Sequence, residues 1–109
     1  MSSKTIANDI REQVEQAVQR FNKDTFGNAD CRYVTRYRGR FLYLDRYDFG
    51  RMGSVCRLEY TGAVDAWEFA IFKYSSERYA PEEWMHPGRE FVDGTVEGAM
   101  KAGLQAYPA

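Results

Sequence analysis

His86 is the only histidine of the chain and the side chain best suited to acid–base chemistry near neutral pH. The segment EEWMHPGRE places it close to Glu82, Glu83 and Glu90, so a carboxylate is available to orient its ring as in a general-base pair. No nucleophile is identifiable beside it, however, and a histidine before proline in an exposed loop is usually solvated. The sequence therefore predicts no catalytic residue, and an enzyme centred on His86 ranks last among the functions considered.

A metal or cofactor site is not indicated by the spacing of the candidate ligands. Structural zinc sites combine several cysteines or histidines at short intervals, whereas Cys31, Cys56 and His86 are far apart in the chain. The ligand spacing of a calcium-binding loop is absent as well, and so are the glycine patterns that bind phosphates or dinucleotides. We therefore expect no metal and no cofactor, and we expect the cysteines to be free, half-buried thiols.

Arginines and aromatic residues alternate irregularly through RYVTRYRGRFLYLDRYDFGRM, which covers residues 32–52. If this region forms a sheet with one uncovered face, tyrosine rings and guanidinium groups on that face would stack single-stranded bases and neutralise phosphates. The residues assigned to this predicted surface are Tyr33, Arg36, Tyr37, Arg38, Arg40, Tyr43, Tyr47 and Arg57.

Two other interpretations of the same surface rank above nucleic-acid binding. The first is structural, because tyrosines and arginines pair across strands while Asp45, Asp48 and Glu59 neutralise part of the charge. The second is a surface for a protein partner or for a second copy of the chain, since exposed aromatic residues and arginines anchor many protein interfaces. The net charge of -1 argues against a nucleic-acid binder, although basic residues are concentrated before Leu58 and acidic residues after it.

The connection RYAPEEWMHPGREF, residues 78–91, is the second predicted surface. Several of its side chains are too apolar for all of them to lie in water: Tyr79, Trp84, Met85 and Phe91. We expect this segment to fold partly over the sheet edge or the core. The alternative is a binding loop on a rigid scaffold, with Trp84, His86 and Arg89 as contacts.

Both ends of the chain show helical periodicity. Residues 3–22 place apolar side chains three and four positions apart along one face, at Ile6, Ile10, Val14, Ala17, Val18 and Phe21. Ser2 or Ser3 is the predicted N-cap of this helix. A closing helix is predicted over residues 94–107, with Asp93 as its N-cap. Glycine inside a helix costs about 1 kcal/mol relative to alanine, so Gly98 and Gly103 predict close packing of this helix against the sheet or the first helix.

The region between the helices alternates in polarity with a period of two. This pattern predicts strands over residues 30–38, 40–48, 54–61 and 65–74, joined by turns so short that neighbouring strands must be antiparallel. The predicted fold is a single α+β domain over residues 1–109. It is a two-layer sandwich with an N-terminal helix, a four-stranded antiparallel meander and a C-terminal helix, both helices lying on one face of the sheet.

No apolar run approaches the roughly twenty residues that span a bilayer, and MSSKTIANDI lacks the apolar part of a signal peptide. We therefore expect a cytoplasmic protein with no membrane partner. The predicted function is a small non-catalytic binding or protein-interaction module, which uses the arginine–tyrosine surface or the loop at residues 79–91 to bind a protein partner or a second copy of the chain in a homodimer. Binding of single-stranded nucleic acid is the alternative, and an enzyme centred on His86 is a weaker alternative.

Overall fold

The computed structural model describes residues 5–27, 30–83 and 85–108. Helix α1 is Asn8–Phe21 and helix α2 is Val96–Ala106; the strands are β1 Cys31–Arg38, β2 Phe41–Asp48, β3 Arg51–Glu59, β4 Glu68–Lys73 and β5 Arg78–Ala80. A π-helical turn at Asn22–Phe26 follows α1, and a 3-10 turn at Arg89–Phe91 precedes α2. The predicted α+β class with an antiparallel sheet is confirmed. Neither of the described helices has the length and apolar character needed to span a bilayer.

The strands follow one another in the sheet as they do in the sequence, and each is antiparallel to the next. The prediction of four strands is wrong, because β5 contains three residues and is too short to show an alternating pattern. It pairs with β4 through Ile71 with Ala80 and Phe72 with Tyr79. Tyr79 is therefore a sheet residue and not part of a loop.

The turn between β2 and β3 consists of residues 49–50, where the longer segment DFGRMG is predicted. Both residues have positive φ, 48° at Phe49 and 89° at Gly50, as in a type I′ hairpin turn. Glycine adopts this conformation readily, but a bulky side chain seldom does. A bulky residue such as Phe49 is therefore not expected from the sequence in so tight a turn. Because the turn is short, β3 begins at Arg51, three residues earlier than predicted.

Helix α1 begins at Asn8, later than the predicted start at residue 3, and Ala7 precedes it without a side-chain capping bond. The predicted caps Ser2 and Ser3 lie outside the described residues. The predicted apolar face of the helix is confirmed, because Val14, Val18 and Phe21 are buried.

Helix α2 is capped by Thr95, whose hydroxyl accepts a hydrogen bond from the Gly98 N–H at 2.9 Å. The prediction of Asp93 as N-cap is wrong by two residues. The Asp93 carboxylate instead accepts from the N–H and the hydroxyl of Thr95, at 3.1 and 2.6 Å. Asp93 thus holds the capping residue, and these hydrogen bonds lower the pKa of its carboxyl group.

The close packing predicted for α2 is confirmed at Gly103. A Cβ atom there would lie 2.5 Å from Val55 Cγ1 and 2.7 Å from the Tyr33 hydroxyl, closer than carbon atoms pack. Gly98 is also crowded, but by Asp93 and the Phe91 carbonyl and not by the sheet. The buried apolar cluster includes residues of both helices and of β1, β2 and β3: Val14, Val18, Phe21, Tyr33, Leu42, Leu44, Val55, Cys56, Leu58, Val96, Ala99 and Met100.

Candidate functional site

The register of β1 and β2 divides the four tyrosines of the predicted surface between the two faces of the sheet. Tyr33 lies opposite Arg46 and Tyr37 opposite Leu42, whereas Tyr43 lies opposite Arg36 and Tyr47 opposite Arg32. The two-residue turn between the strands pairs every odd-numbered residue with an even-numbered one, and paired residues share a face. The prediction that all four tyrosines share one face is therefore wrong.

Tyr33 and Tyr37 connect the sheet to the helices. The Tyr33 hydroxyl donates to the Met100 carbonyl at 2.7 Å. Tyr33 is only 2% exposed, and this burial raises the pKa of its hydroxyl far above the usual range. The Tyr37 hydroxyl donates to the Glu15 carboxylate at 2.6 Å, and the Arg11 guanidinium lies 4.6 Å from the Tyr37 ring centre. Both tyrosines thus have structural contacts, and Tyr33 is inaccessible to a large ligand.

The opposite face, here called the arginine–aromatic face, combines rings and guanidinium groups from all five strands. The strand pairing places the following residues on it: Arg32, Val34, Arg36, Arg38, Phe41, Tyr43, Asp45, Tyr47, Met52, Ser54, Arg57, Glu59, Glu68, Ala70, Phe72 and Tyr79. Apart from Asp45 and Ala70, all of these side chains are partly or fully exposed. The structure therefore brings together Arg36, Arg38, Tyr43, Tyr47 and Arg57 of the predicted surface.

Arginines of this face lie over its aromatic rings. The Arg36 Cζ is 4.3 Å from the ring centre of Tyr43, and the Arg32 Cζ is 4.4 Å from that of Tyr47. The Arg57 Cζ is 4.7 Å from the ring centre of Phe41 and 5.4 Å from that of Tyr79. These distances are within the range of cation–π contacts, which hold flexible arginine side chains in defined positions.

The aromatic rings of the face also contact one another across the strands. Ring centres are 5.3 Å apart for Tyr43 and Tyr79 and 4.9 Å apart for Phe72 and Tyr79. Ala70, which pairs with Arg57 on β4, is 2% exposed although it lies on this face, because larger neighbours close over its small side chain. The face is therefore a packed surface of rings and not a set of separate side chains.

The charges of the face are only partly balanced. Arg36 donates to Asp45 at 3.1 Å, which raises the pKa of the guanidinium, and Arg40 pairs with Glu59 at 2.8 Å beside the face. Arg38 and Arg57 have no acidic partner within 4.0 Å in the described part of the chain. The face consequently retains basic groups that a negatively charged partner can contact.

The second predicted surface packs on the side of the sheet that carries Tyr33 and Tyr37. The His86 ring stacks on Phe69 with centres 5.5 Å apart, and a Cβ atom at Gly88 would overlap the backbone of α2 at Ala102. Arg89 is exposed, and Trp84 lies outside the described residues. Met85 is 85% exposed, so this side chain does not fold over the core.

The carboxylates near His86 in sequence form ion pairs with other residues. Glu83 accepts from Lys73 at 2.9 Å, which lowers the pKa of its carboxyl group, and Glu82 pairs with Arg78. Among the described residues, no carboxylate accepts a hydrogen bond from His86, whose Nδ1 lies 3.1 Å from the Pro87 carbonyl. Two cavities of about 460 and 360 Å³ meet at Glu83 and His86, but the general-base pair is not assembled there.

The sequence did not identify a pair of exposed apolar side chains, Phe49 and Met52, at the β2–β3 end of the arginine–aromatic face. This pair is called the apolar projection below. Phe49 in the turn is 73% exposed, and Met52, two residues after Gly50, is 56% exposed. The longer turn predicted from the sequence did not define the direction of either side chain. In the structure β3 begins at Arg51, so Met52 lies in a strand and Phe49 in the turn before it. The projection adds apolar contact area beside the basic groups.

Comparisons with protein-family models, with curated proteins and with solved structures gave no match to this chain. The most distinctive feature of the described residues is the arginine–aromatic face.

Proposed function

We propose that the protein is a protein-binding module, and that its arginine–aromatic face binds an acidic segment of a partner protein. The observation that carries this proposal is the position of the Arg32, Arg36 and Arg57 guanidinium groups over aromatic rings of one face. A guanidinium held over a ring keeps N–H donors at its edge, where a carboxylate can accept two of them at once. Holding these groups in place before binding reduces the entropy cost of recognition.

We further propose a two-layer arrangement in which both helices cover the face that carries Tyr33 and Tyr37. The hydrogen bonds of these tyrosines to Met100 on α2 and to Glu15 on α1 support it. On the arginine–aromatic face, side chains such as Tyr43 are half-buried only, as expected for an antiparallel sheet with one uncovered face.

The exposed projection at Phe49 and Met52 favours a protein over a nucleic acid as the partner. Apolar and aromatic side chains beside arginines are typical of the anchors of protein interfaces. Nucleic-acid binding by stacking would also require displacement, because the rings of Tyr43 and Tyr47 already carry guanidinium groups at 4.3 and 4.4 Å. A carboxylate of the partner would leave the rings covered, because it accepts from guanidinium N–H groups; on Arg36 it would use those that do not already donate to Asp45.

A nuclear magnetic resonance titration tests this proposal. The isotope-labelled protein is titrated with an acidic peptide in which Glu alternates with Val, called the acidic peptide below. The proposal predicts shifts of the Arg36 and Arg57 side-chain Nε–H signals, because these groups lie on the binding face. A basic peptide in which Lys alternates with Val is the matched control and should leave these signals unchanged.

A single-stranded oligothymidylate is titrated in the same way. Shifts caused by the acidic peptide alone, or at much lower concentration than by the oligonucleotide, support a protein partner. Tighter binding of the oligonucleotide would instead favour nucleic acid and overturn the proposal. Shifts that the acidic peptide causes only around His86 and Arg89 would move the binding site to the connection between β5 and α2.

A further inference from the structure

Strand β1 lies at an edge of the five-stranded sheet. One of its edges pairs with β2, and no strand in the described residues pairs with the other edge. Edge strands present unpaired N–H and C=O groups, to which a strand of another protein can add. A contact with Asn22 shows which residues of β1 direct their N–H and C=O groups to this outer edge.

Asn22 in the π-helical turn binds the main chain of Tyr33 from outside the sheet. Its side-chain amide donates to the Tyr33 carbonyl at 3.0 Å, and its side-chain oxygen accepts from the Tyr33 N–H at 2.8 Å. The carboxamide thus takes the position that a peptide group of a neighbouring strand would occupy. Since main-chain groups of alternate residues point the same way in a strand, those of Thr35 and Tyr37 also point outward.

No hydrogen-bond partner is found for the main-chain groups of Thr35 and Tyr37 in the described part of the chain. Beyond the Asn22 contact, the outer edge of β1 therefore offers two N–H donors and two carbonyl acceptors in the spacing of a β-ladder. We infer that an extended segment of the partner adds to the sheet along β1 and pairs with Thr35 and Tyr37. This inference rests on the proposed function and specifies how the partner binds.

The side chains of β1 define the chemistry of the added strand. Arg32, Arg36 and Arg38 point to the arginine–aromatic face along this edge. Side chains of adjacent strands on one face lie close together, so Glu or Asp at alternate positions of the partner strand would meet these arginines. A second copy of this chain is a poor occupant, because antiparallel pairing of two β1 strands places arginines beside arginines. The occupant is therefore an extended acidic segment of a different protein.

The experiment compares the acidic peptide with a version whose alternate backbone nitrogens are methylated, so that one edge of the peptide cannot donate hydrogen bonds. Strand addition predicts that methylation weakens binding about tenfold or more, since each main-chain hydrogen bond contributes on the order of a factor of five to ten. It also predicts that the unmethylated peptide slows hydrogen exchange of the Thr35 and Tyr37 amides by about tenfold or more. Arg36 should shift with either peptide at saturation.

A pair of variants tests the same edge from the protein side. Thr35→Pro removes an outward N–H and is compatible with an edge strand, so binding should fall by about tenfold. Thr35→Val keeps the N–H and removes only the hydroxyl that donates to Glu15 at 2.6 Å, so Thr35→Pro should bind about tenfold more weakly than Thr35→Val. The peptide comparison on the wild-type chain remains decisive if Thr35→Pro does not fold.

The outcomes separate this inference from the proposed function. Equal affinity of the two peptides, with no protection of Thr35 and Tyr37 but with shifts at Arg36 and Arg57, would overturn strand addition and leave the binding face intact. Failure of both peptides to bind would overturn the proposed function together with the inference.

Discussion

Arg36 and Tyr43 face each other across β1 and β2, with the guanidinium carbon 4.3 Å from the ring centre. The same guanidinium donates to Asp45, whose side chain is largely buried while that of Arg36 is half exposed. One arginine thus interacts with a ring and a carboxylate of its own sheet while its side chain remains accessible to solvent. This arrangement fixes the position of a charged group without burying it.

Replacing Arg36 by Gln should lower both the stability of the protein and its affinity for the acidic peptide. The exposed cation–π contact with Tyr43 contributes on the order of 1 kcal/mol or less, but the largely buried Asp45 carboxylate loses its ionic partner, which costs about 1 to 3 kcal/mol. We expect a loss of about 1 to 3 kcal/mol in the free energy of unfolding measured in urea, with a several-fold loss of affinity for the acidic peptide. Unchanged affinity combined with a large loss of stability would show that Arg36 is only a structural residue.

Removal of the Tyr33 hydroxyl should destabilise the protein measurably. Tyr33→Phe deletes the hydrogen bond to the buried Met100 carbonyl, which joins β1 to α2 and has a length of 2.7 Å. Leaving a buried acceptor without its donor costs about 1 to 3 kcal/mol in the free energy of unfolding. Tyr47→Phe is the matched control on the arginine–aromatic face and should change stability by less than about 0.5 kcal/mol. Equal effects of the two substitutions would contradict the assignment of the two faces.

The contact of α2 with the sheet can be tested at Gly103. Gly103→Ala places a methyl group against Val55 and the Tyr33 hydroxyl. The resulting overpacking costs about 1 to 3 kcal/mol, which exceeds the gain of about 1 kcal/mol in helix propensity. Thermal and urea unfolding should therefore show a net loss of stability. Combination with Val55→Ala should recover part of that loss relative to the sum of the single effects, and simple additivity would argue against direct contact.

Stability at acidic pH should depend on Asp93. Its hydrogen bonds with Thr95 lower the pKa of the Asp93 carboxyl group in the folded protein. A group with a lowered folded pKa stabilises the protein above its unfolded pKa, and this contribution is lost as the pH falls through the folded value. Urea unfolding from neutral to acidic pH should therefore show a smaller loss of stability for Asp93→Asn than for the wild type. Asp24→Asn is the exposed control and should follow the wild-type profile.

The alternating polarity of the middle of the chain and the apolar face of α1 were sufficient to predict the fold class. Strand β5 was missed because three residues cannot show a period of two. The turn at Phe49 was missed because its conformation is unusual for a bulky residue. The periodicity of polar and apolar residues therefore indicated the long helices and strands. The short strand β5 forms by pairing with β4, and periodicity does not reveal such pairing.

The residues of the predicted surface are divided between the two faces of the sheet, with Tyr33 and Tyr37 on one face and Tyr43 and Tyr47 on the other. The alternation within a strand shows which of its own residues share a face. Which residues of β1 and β2 lie on the same face depends on the register between the two strands, which alternation does not give. Tyr33 and Tyr43 are both odd-numbered and so fall on opposite faces once Arg38 pairs with Phe41. Arg57, Phe72 and Tyr79 join the face only through the pairing of later strands, which sequence periodicity does not specify.

The most direct test of the proposed function is the affinity of a fluorescent acidic peptide for two double variants of equal net charge. One variant combines Arg36→Gln with Arg57→Gln on the arginine–aromatic face. The other combines Arg20→Gln on α1 with Arg89→Gln in the 3-10 turn at Arg89–Phe91, both exposed. If the face binds the partner, the first variant should lose about tenfold or more in affinity and the second less than about threefold. An equal loss in both variants, or a larger loss in the second, would contradict the proposed function.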